Sequence, residues 1–179
     1  MSTESSFPPR YTVDDYRHWK GDWELWKGYP VAMVPSPFGP HAAVVSRLSR
    51  RLGNQIEDNH CDAITLVELD WIVSGDTVVR PDLVVVCGDP PERHLETPPT
   101  LVAEVLSPST AGSDRTFKQR LYQDHGVATY LMIDPRDRTV VAQRLSTDGG
   151  YEEETVGEVL WVTLCGNCRI EFETRLLFG

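Results

Sequence analysis

Three stretches of this chain are short, apolar and crowded with β-branched residues, and they restrict the fold more than any other feature. They are AITLVELDWIV with TVVRPDLVVVC (63–87), TLVAEVL (100–106) and ATYLMID (128–134). Val, Ile and Thr lose χ1 freedom in a helix and pack well on a pleated surface, so these runs read as strands. The first, broken by a Ser-Gly-Asp turn, predicts a long hairpin or meander. TLVAEVL and ATYLMID are apolar at successive positions, which predicts strands covered on both faces and therefore central in a sheet. Between and before them the period changes. Val45, Leu48, Leu52 and Ile56 recur at steps of three and four, which gives a helix with one buried stripe. A second helix follows TLVAEVL, with Ser113 as its cap, Phe117 and Leu121 on its apolar side and Gly126 as its stop. The class expected is α/β (α+β): a mixed sheet flanked by helices.

The remaining segments extend that plan. Thr12 with Asp15 three residues on predicts a capped short helix, and WELWKGYPVAMV predicts an N-terminal hairpin around Lys27-Gly28. TVVAQRL, YEEE, VLWVTL and CRIEF predict a C-terminal antiparallel meander. With 179 residues, 40% hydrophobic and 25% charged, the expectation is one domain over 11–179 behind a loose tail at 1–10. No apolar run reaches the roughly 20 residues of a membrane-spanning helix, and the N-terminus has no secretory signature, so the expected compartment is the cytoplasm. There the four cysteines, Cys61, Cys87, Cys165 and Cys168, are expected as free thiols. Cys165 and Cys168 form one CxxC on a Gly-Asn turn. Zinc wants four ligands, and His60 and Cys61 do not supply a recognisable second pair, so a plain turn is the expectation.

A net charge of -10 disfavours a protein that coats nucleic acid nonspecifically, since phosphate binding depends on counterion release by Lys and Arg. Any such surface must be local. Basic residues cluster at 46–52, including Arg50 and Arg51, and at 114–120; solvated helix faces explain these runs equally well.

Two carboxylates stand inside the apolar strands: Asp82 in RPDLVVV and Glu104 in TLVAEVL. Alternation puts Asp82 on the face of Val84 and Val86, and Glu104 on that of Val102 and Leu106. An unpaired buried carboxylate costs several kcal/mol, so each needs a cation, a basic side chain or N–H donors. A shared hard cation such as Mg²⁺, completed by a backbone carbonyl, water and phosphate, would meet that need. A satisfied core salt bridge for each, or a strand-end position for Asp82, would meet it equally well. Lys118 lies one helical turn after Asp114 and one before Tyr122, on a face that a strand-loop-helix unit can fold over the sheet. The plainer reading is an exposed Asp114–Lys118 pair worth about 0.3–0.5 kcal/mol. Ser107, Ser109 and Thr110 have no nucleophile elbow around them and are expected in turn or capping duty.

The order RPDLVVV, VAEVLSPST, D-x-x-x-K-x-x-x-Y and HGVATYLMIDP resembles the bacterial restriction-endonuclease-like Uma2 (Uma-two) family of the PD-(D/E)XK nuclease superfamily. WELWKGYPVAM and the loop and helix around His41 extend the resemblance over most of the chain. It implies a restriction endonuclease-like mixed sheet and a Mg²⁺ (or Mn²⁺) site on Asp82, Glu104 and the Val105 carbonyl. It also implies hydrolysis of DNA phosphodiesters, with a homodimer by analogy. The superfamily's usual lysine falls at Leu106 here, and the resemblance points to Lys118 as its migrated replacement. Glu24 matches an N-terminal glutamate of the family, implying a supporting or second-metal carboxylate, against an exposed place on an edge hairpin. His41 matches a histidine that contacts phosphate or positions water. The alternatives are a nuclease fold without turnover, acting as a binding module, and a Mg²⁺-dependent hydrolase of another phosphate ester.

Overall fold

The computed structural model describes residues 8–33, 39–107 and 114–179, with the side chains of 114 and 115 excepted. Helix α1 (Val13–Tyr16) opens on the predicted capping box: the Thr12 N–H and hydroxyl both donate to Asp15 Oδ2 at 2.8 Å, and the Asp15 N–H returns to Thr12 Oγ1. Strands β1 (Trp23–Trp26) and β2 (Tyr29–Ala32) form the N-terminal hairpin, turned at Lys27 and Gly28, both with positive φ. Helix α2 (Gly39–Asp58) buries Val44, Leu48, Leu52 and Ile56, so Val44 rather than Val45 completes the stripe.

The 63–87 region is not one hairpin. Strands β3 (Ala63–Val67) and β6 (Leu83–Cys87) pair in one sheet, while β4 (Trp71–Ser74) and β5 (Thr77–Val79) join β1 in another. The switch occurs at Glu68, whose φ of 51° breaks the extended run, and at Arg80-Pro81, where proline cannot donate to a ladder.

Strand β7 (Leu101–Val105) is buried throughout and runs antiparallel to β6 but parallel to β8 (Thr129–Asp134). A π-helical turn (Asp114–Lys118) and helix α3 (Gln119–Asp124) make the crossover, and the chain leaves α3 through Gly126 at φ 75°. The predicted cap Ser113 lies outside the described residues. So do residues 1–7 of the expected tail, Ser109 and Thr110. Strands β9 (Thr139–Leu145) and β10 (Tyr151–Thr155) extend the sheet antiparallel, giving the order β10-β9-β8-β7-β6-β3. The last part of the meander, β11 (Val159–Leu164) and β12 (Cys168–Glu173), pairs only with itself among the described residues, and a 3-10 turn (Thr174–Leu177) follows.

Strand alternation sorts the sheet into two cores. Leu83, Val85, Leu101, Ala103, Val105, Leu131 and Ile133 face α2 and the β11–β12 ribbon. Val84, Val86, Val102, Leu106, Tyr130 and Met132 face Trp71, Leu121 and Tyr122. By the same parity Asp82 and Glu104 belong to the second face, so the site forms where that core meets the β1 hairpin.

The expectation of free thiols is corrected. Cys61 pairs with Cys168 and Cys87 with Cys165, with Cα separations of 5.7 and 5.6 Å. The β11–β12 turn packs across the adjoining ends of β3 and β6, and no local spacing announces partners 107 and 78 residues apart. No helix among the described residues is long and apolar enough to cross a membrane.

Candidate metal centre

Glu104 is 4% exposed near the end of β7. Its Oε1 accepts from Lys118 Nζ at 2.9 Å and from the Tyr122 hydroxyl at 2.8 Å, while Oε2 lies 3.4 Å from the Asp82 N–H. Asp82 stands just before β6 rather than within a strand, with 22% of its side chain exposed. Its Oδ2 accepts the Val105 N–H at 2.7 Å. One carboxylate is therefore locked to the backbone beside the other, and Asp82 keeps access to water.

Lys118 ends the π-helical turn and is 6% exposed, which rules out the exposed-pair reading. It bridges Glu104 at 2.9 Å and Glu24 Oε1 at 3.1 Å. Leu106, where the superfamily places its lysine, is 4% exposed in the second core. Its side chain contributes packing, while the helix supplies the ammonium to Glu104. Stacking of Trp26 on Phe117, with centroids 4.4 Å apart and planes 19° apart, ties the β1 hairpin to this turn.

Glu24 is not the exposed residue of an edge strand, because β1 lies between β2 and β5. It is 3% exposed. Its Oε1 accepts the Arg80 N–H at 2.7 Å as well as Lys118, and its Oε2 accepts the Trp26 indole N–H at 2.8 Å. Its Oε1 thus holds the Lys118 ammonium together with Glu104.

His41 lies in the first turn of α2, with Nε2 3.2 Å from Asp82 Oδ2. Burial alone would lower its pKa; the hydrogen bond and charge of Asp82, the charge of Glu68 and the Val105 carbonyl outweigh that and raise it. The imidazole thus faces the carboxylate and the carbonyl that the sequence reading assigns to a cation. Arg50 is exposed and Arg51 half-buried on α2, about 13–15 Å along the axis from His41 at 1.5 Å per residue. The structure does not bring them into this cluster. Tyr122 is the participant that sequence reading quoted without giving it a role; the four-residue step from Lys118 was the available signal. Burial first, then the charge of Glu104, raises its hydroxyl pKa well above the usual phenol value.

Among the described residues no three or more His, Cys, Asp or Glu side chains form a ready cage for a metal. A Mg²⁺-type ion does not need one, since it takes one or two carboxylates and fills its octahedron with carbonyl and water. The charge inventory agrees. Among the described residues of this cluster, the carboxylates of Glu24, Asp82 and Glu104 outnumber the ammonium of Lys118 and the imidazole of His41, an anionic excess that favours a cation. Asp82, Glu104 and the Val105 carbonyl are an all-oxygen set fitted to a hard cation.

The chain has relatives in sequence and in fold. The profile of the Uma2 family, described as "Putative restriction endonuclease", matches residues 13–168. The "Uncharacterized protein slr1290" of Synechocystis sp. (strain ATCC 27184 / PCC 6803 / Kazusa) is 28% identical over 151 residues, covering 80% of this chain and 78% of its own. The "Uncharacterized protein sll1609" of the same organism is 31% identical over 99 residues, 52% of this chain and 56% of its own. In fold, the chain is similar to a crystal structure described as a "putative nuclease belonging to DUF820" from Anabaena variabilis ATCC 29413. The TM-score is 0.76 at 21% identity, covering 94% of this chain and 97% of that one. With the profile running from the capped first helix to the last cysteine, the chain belongs to the Uma2 family of restriction-endonuclease-like proteins.

Proposed function

We propose that this protein is a metal-dependent DNA endonuclease whose centre is built on Asp82, Glu104 and Lys118. The observation that carries the reading is a lysine, 6% exposed, held 2.9 Å from a buried strand carboxylate that adjoins a second, water-accessible one. Asp82, Glu104 and the Val105 carbonyl would hold Mg²⁺ or Mn²⁺, which when bound polarises a phosphoryl oxygen and lowers the pKa of a coordinated water. The residues of the chain do the rest. Lys118, held between two carboxylates at 2.9 and 3.1 Å, would set its ammonium where negative charge grows on the phosphate. Asp82, pinned through the Val105 N–H, keeps its carboxylate aimed without reorganisation. His41, with Nε2 3.2 Å from the same Asp82 oxygen, would contact phosphate or position a water. Glu24 holds Lys118 in place.

The substrate is DNA, and residues 11–179 act as one domain. A homodimer supplies the two sites that a double-strand cut needs, an analogy at the level of fold. The deciding experiment is cleavage of supercoiled and single-stranded DNA with Mg²⁺ or Mn²⁺, by wild type and by Asp82→Ala, Glu104→Ala and Lys118→Ala. Loss of activity in all three is expected. The acidic balance and the leucine at 106 favour a second reading, a binding module without turnover. Metal binding without cleavage of any DNA would support that one.

A further inference from the structure

The Tyr122 hydroxyl is an unusual group to find at the bottom of an apolar core. The residue is fully buried, and its ring is boxed in. Trp71 lies along one side, with centroids 6.0 Å apart and planes 20° apart, and Tyr130 presents an edge at 5.0 Å and 74°. Neighbours packed this closely leave the ring no room to swing, so the direction in which its C–O bond points is set by the core. That direction is toward Glu104 Oε1, at 2.8 Å. Lys118 donates to the same oxygen at 2.9 Å, whereas Oε2 faces the Asp82 backbone. Two donors on one oxygen fix the rotation of a carboxylate about its last bond, and they decide which oxygen is presented to the Asp82 side.

We infer that Tyr122 is a positioning residue for the metal centre: its core-locked hydroxyl holds Glu104 by Oε1 so that Oε2 is presented beside Asp82 as the metal oxygen. This rests on the nuclease reading above and adds an atom-level assignment to it. Lys118 cannot substitute for the phenol. Its ammonium is shared with Glu24 at 3.1 Å, whereas the phenol oxygen is fixed to a ring packed between Trp71 and Tyr130. Hydrogen-bond partners that orient a metal ligand typically change affinity or activity about 10- to 100-fold when removed.

The test is Tyr122→Phe, which deletes one oxygen and keeps the stacked ring. Its control is Tyr151→Phe, which deletes a tyrosine hydroxyl bonded to the Val127 carbonyl at 2.9 Å. Mn²⁺ affinity is measured by calorimetry and DNA cleavage by steady-state kinetics, with thermal melts of all three proteins in EDTA. The expected result is Mn²⁺ binding about 10- to 100-fold weaker in Tyr122→Phe, with kcat reduced and KM for DNA unchanged. Tyr151→Phe should match wild type in both. Wild type that binds Mn²⁺ while Tyr122→Phe binds and turns over equally well overturns the inference alone, whatever the melts show. Wild type that takes no Mn²⁺ overturns the metal reading beneath it. A Tyr122→Phe protein that melts like wild type yet loses affinity is the clearest support, since a purely structural tyrosine would give the reverse.

Discussion

Replacing Lys118 by methionine removes a cation from between two carboxylates and leaves a side chain of similar length. Glu24 and Glu104 are 3% and 4% exposed, so neither can turn to water for compensation. Breaking a buried pair by deleting one partner typically costs 3–5 kcal/mol, because a charge is left uncompensated. The Arg80 N–H and the Trp26 indole still reach Glu24, and the Tyr122 hydroxyl still reaches Glu104. The cost should therefore sit near the lower end, about 3 kcal/mol. For a chain of this size 1 kcal/mol shifts Tm by about 2–4 °C, so Lys118→Met in EDTA should melt about 6–12 °C below wild type. Adding Glu24→Gln to Lys118→Met should restore part of that loss, since residues in one network are not additive. Saturating Mn²⁺ should restore more: a ligand at one hundred times its Kd stabilises by about 2.7 kcal/mol. Thermal and urea unfolding of the single and double variants, with and without metal, read all three quantities. A single-variant loss below about 1 kcal/mol, the range of surface ion pairs, would refute the buried bridge.

Reduction should destabilise the protein strongly. With Cys61–Cys168 closed, opening Cys87–Cys165 releases a ring of about 29 residues, which chain entropy values at between 3 and 4 kcal/mol; a Tm unchanged by a phosphine reductant would refute the pairing. Neutralising Arg50 and Arg51 together should flatten the salt dependence of DNA binding by about 1–2 in the log-log slope, measured by fluorescence anisotropy, if α2 lies against phosphate. An unchanged slope removes that helix from the interface. Asp134 is buried, which raises its pKa, but the Arg136 and Asp137 N–H groups at 2.9 and 3.4 Å and the Arg136 side chain lower it on balance. A lowered folded pKa gives stability that is present above the unfolded value, near 3.9, and lost as pH falls through the folded one. The stability gap between wild type and Asp134→Asn should therefore narrow from pH 7 to pH 3 in urea titrations; a constant gap would show that the carboxylate charge contributes nothing.

What the sequence disclosed of the fold and the site, and what it withheld, divides along the range of the interactions involved. Alternation is a property of the local backbone, so the sequence alone puts Asp82 with Val84 and Glu104 with Val102, while the β6–β7 register, Val84 opposite Val102, makes those one face. The i to i+4 step that aligns Lys118 with Tyr122 is equally local. The burial of Glu24 is not: it follows from β1 lying against β5, with Leu25 opposite Val78, a pairing across some fifty residues that WELW alone does not encode. The split of 63–87 between two sheets and the pairing of Cys61 with Cys168 are hidden for the same reason. The site lies where these long-range contacts meet. β1 contributes Glu24, β7 contributes Glu104, the segment before β6 contributes Asp82, and the crossover from β7 to β8 delivers Lys118 and Tyr122. Carboxylates in apolar surroundings are conspicuous in a sequence because burying them is costly, but the groups that offset the cost come from wherever the chain returns. Such a site announces its anions early, and its donors, Trp26, the Arg80 N–H and Tyr122, emerge only once the sheets are assembled.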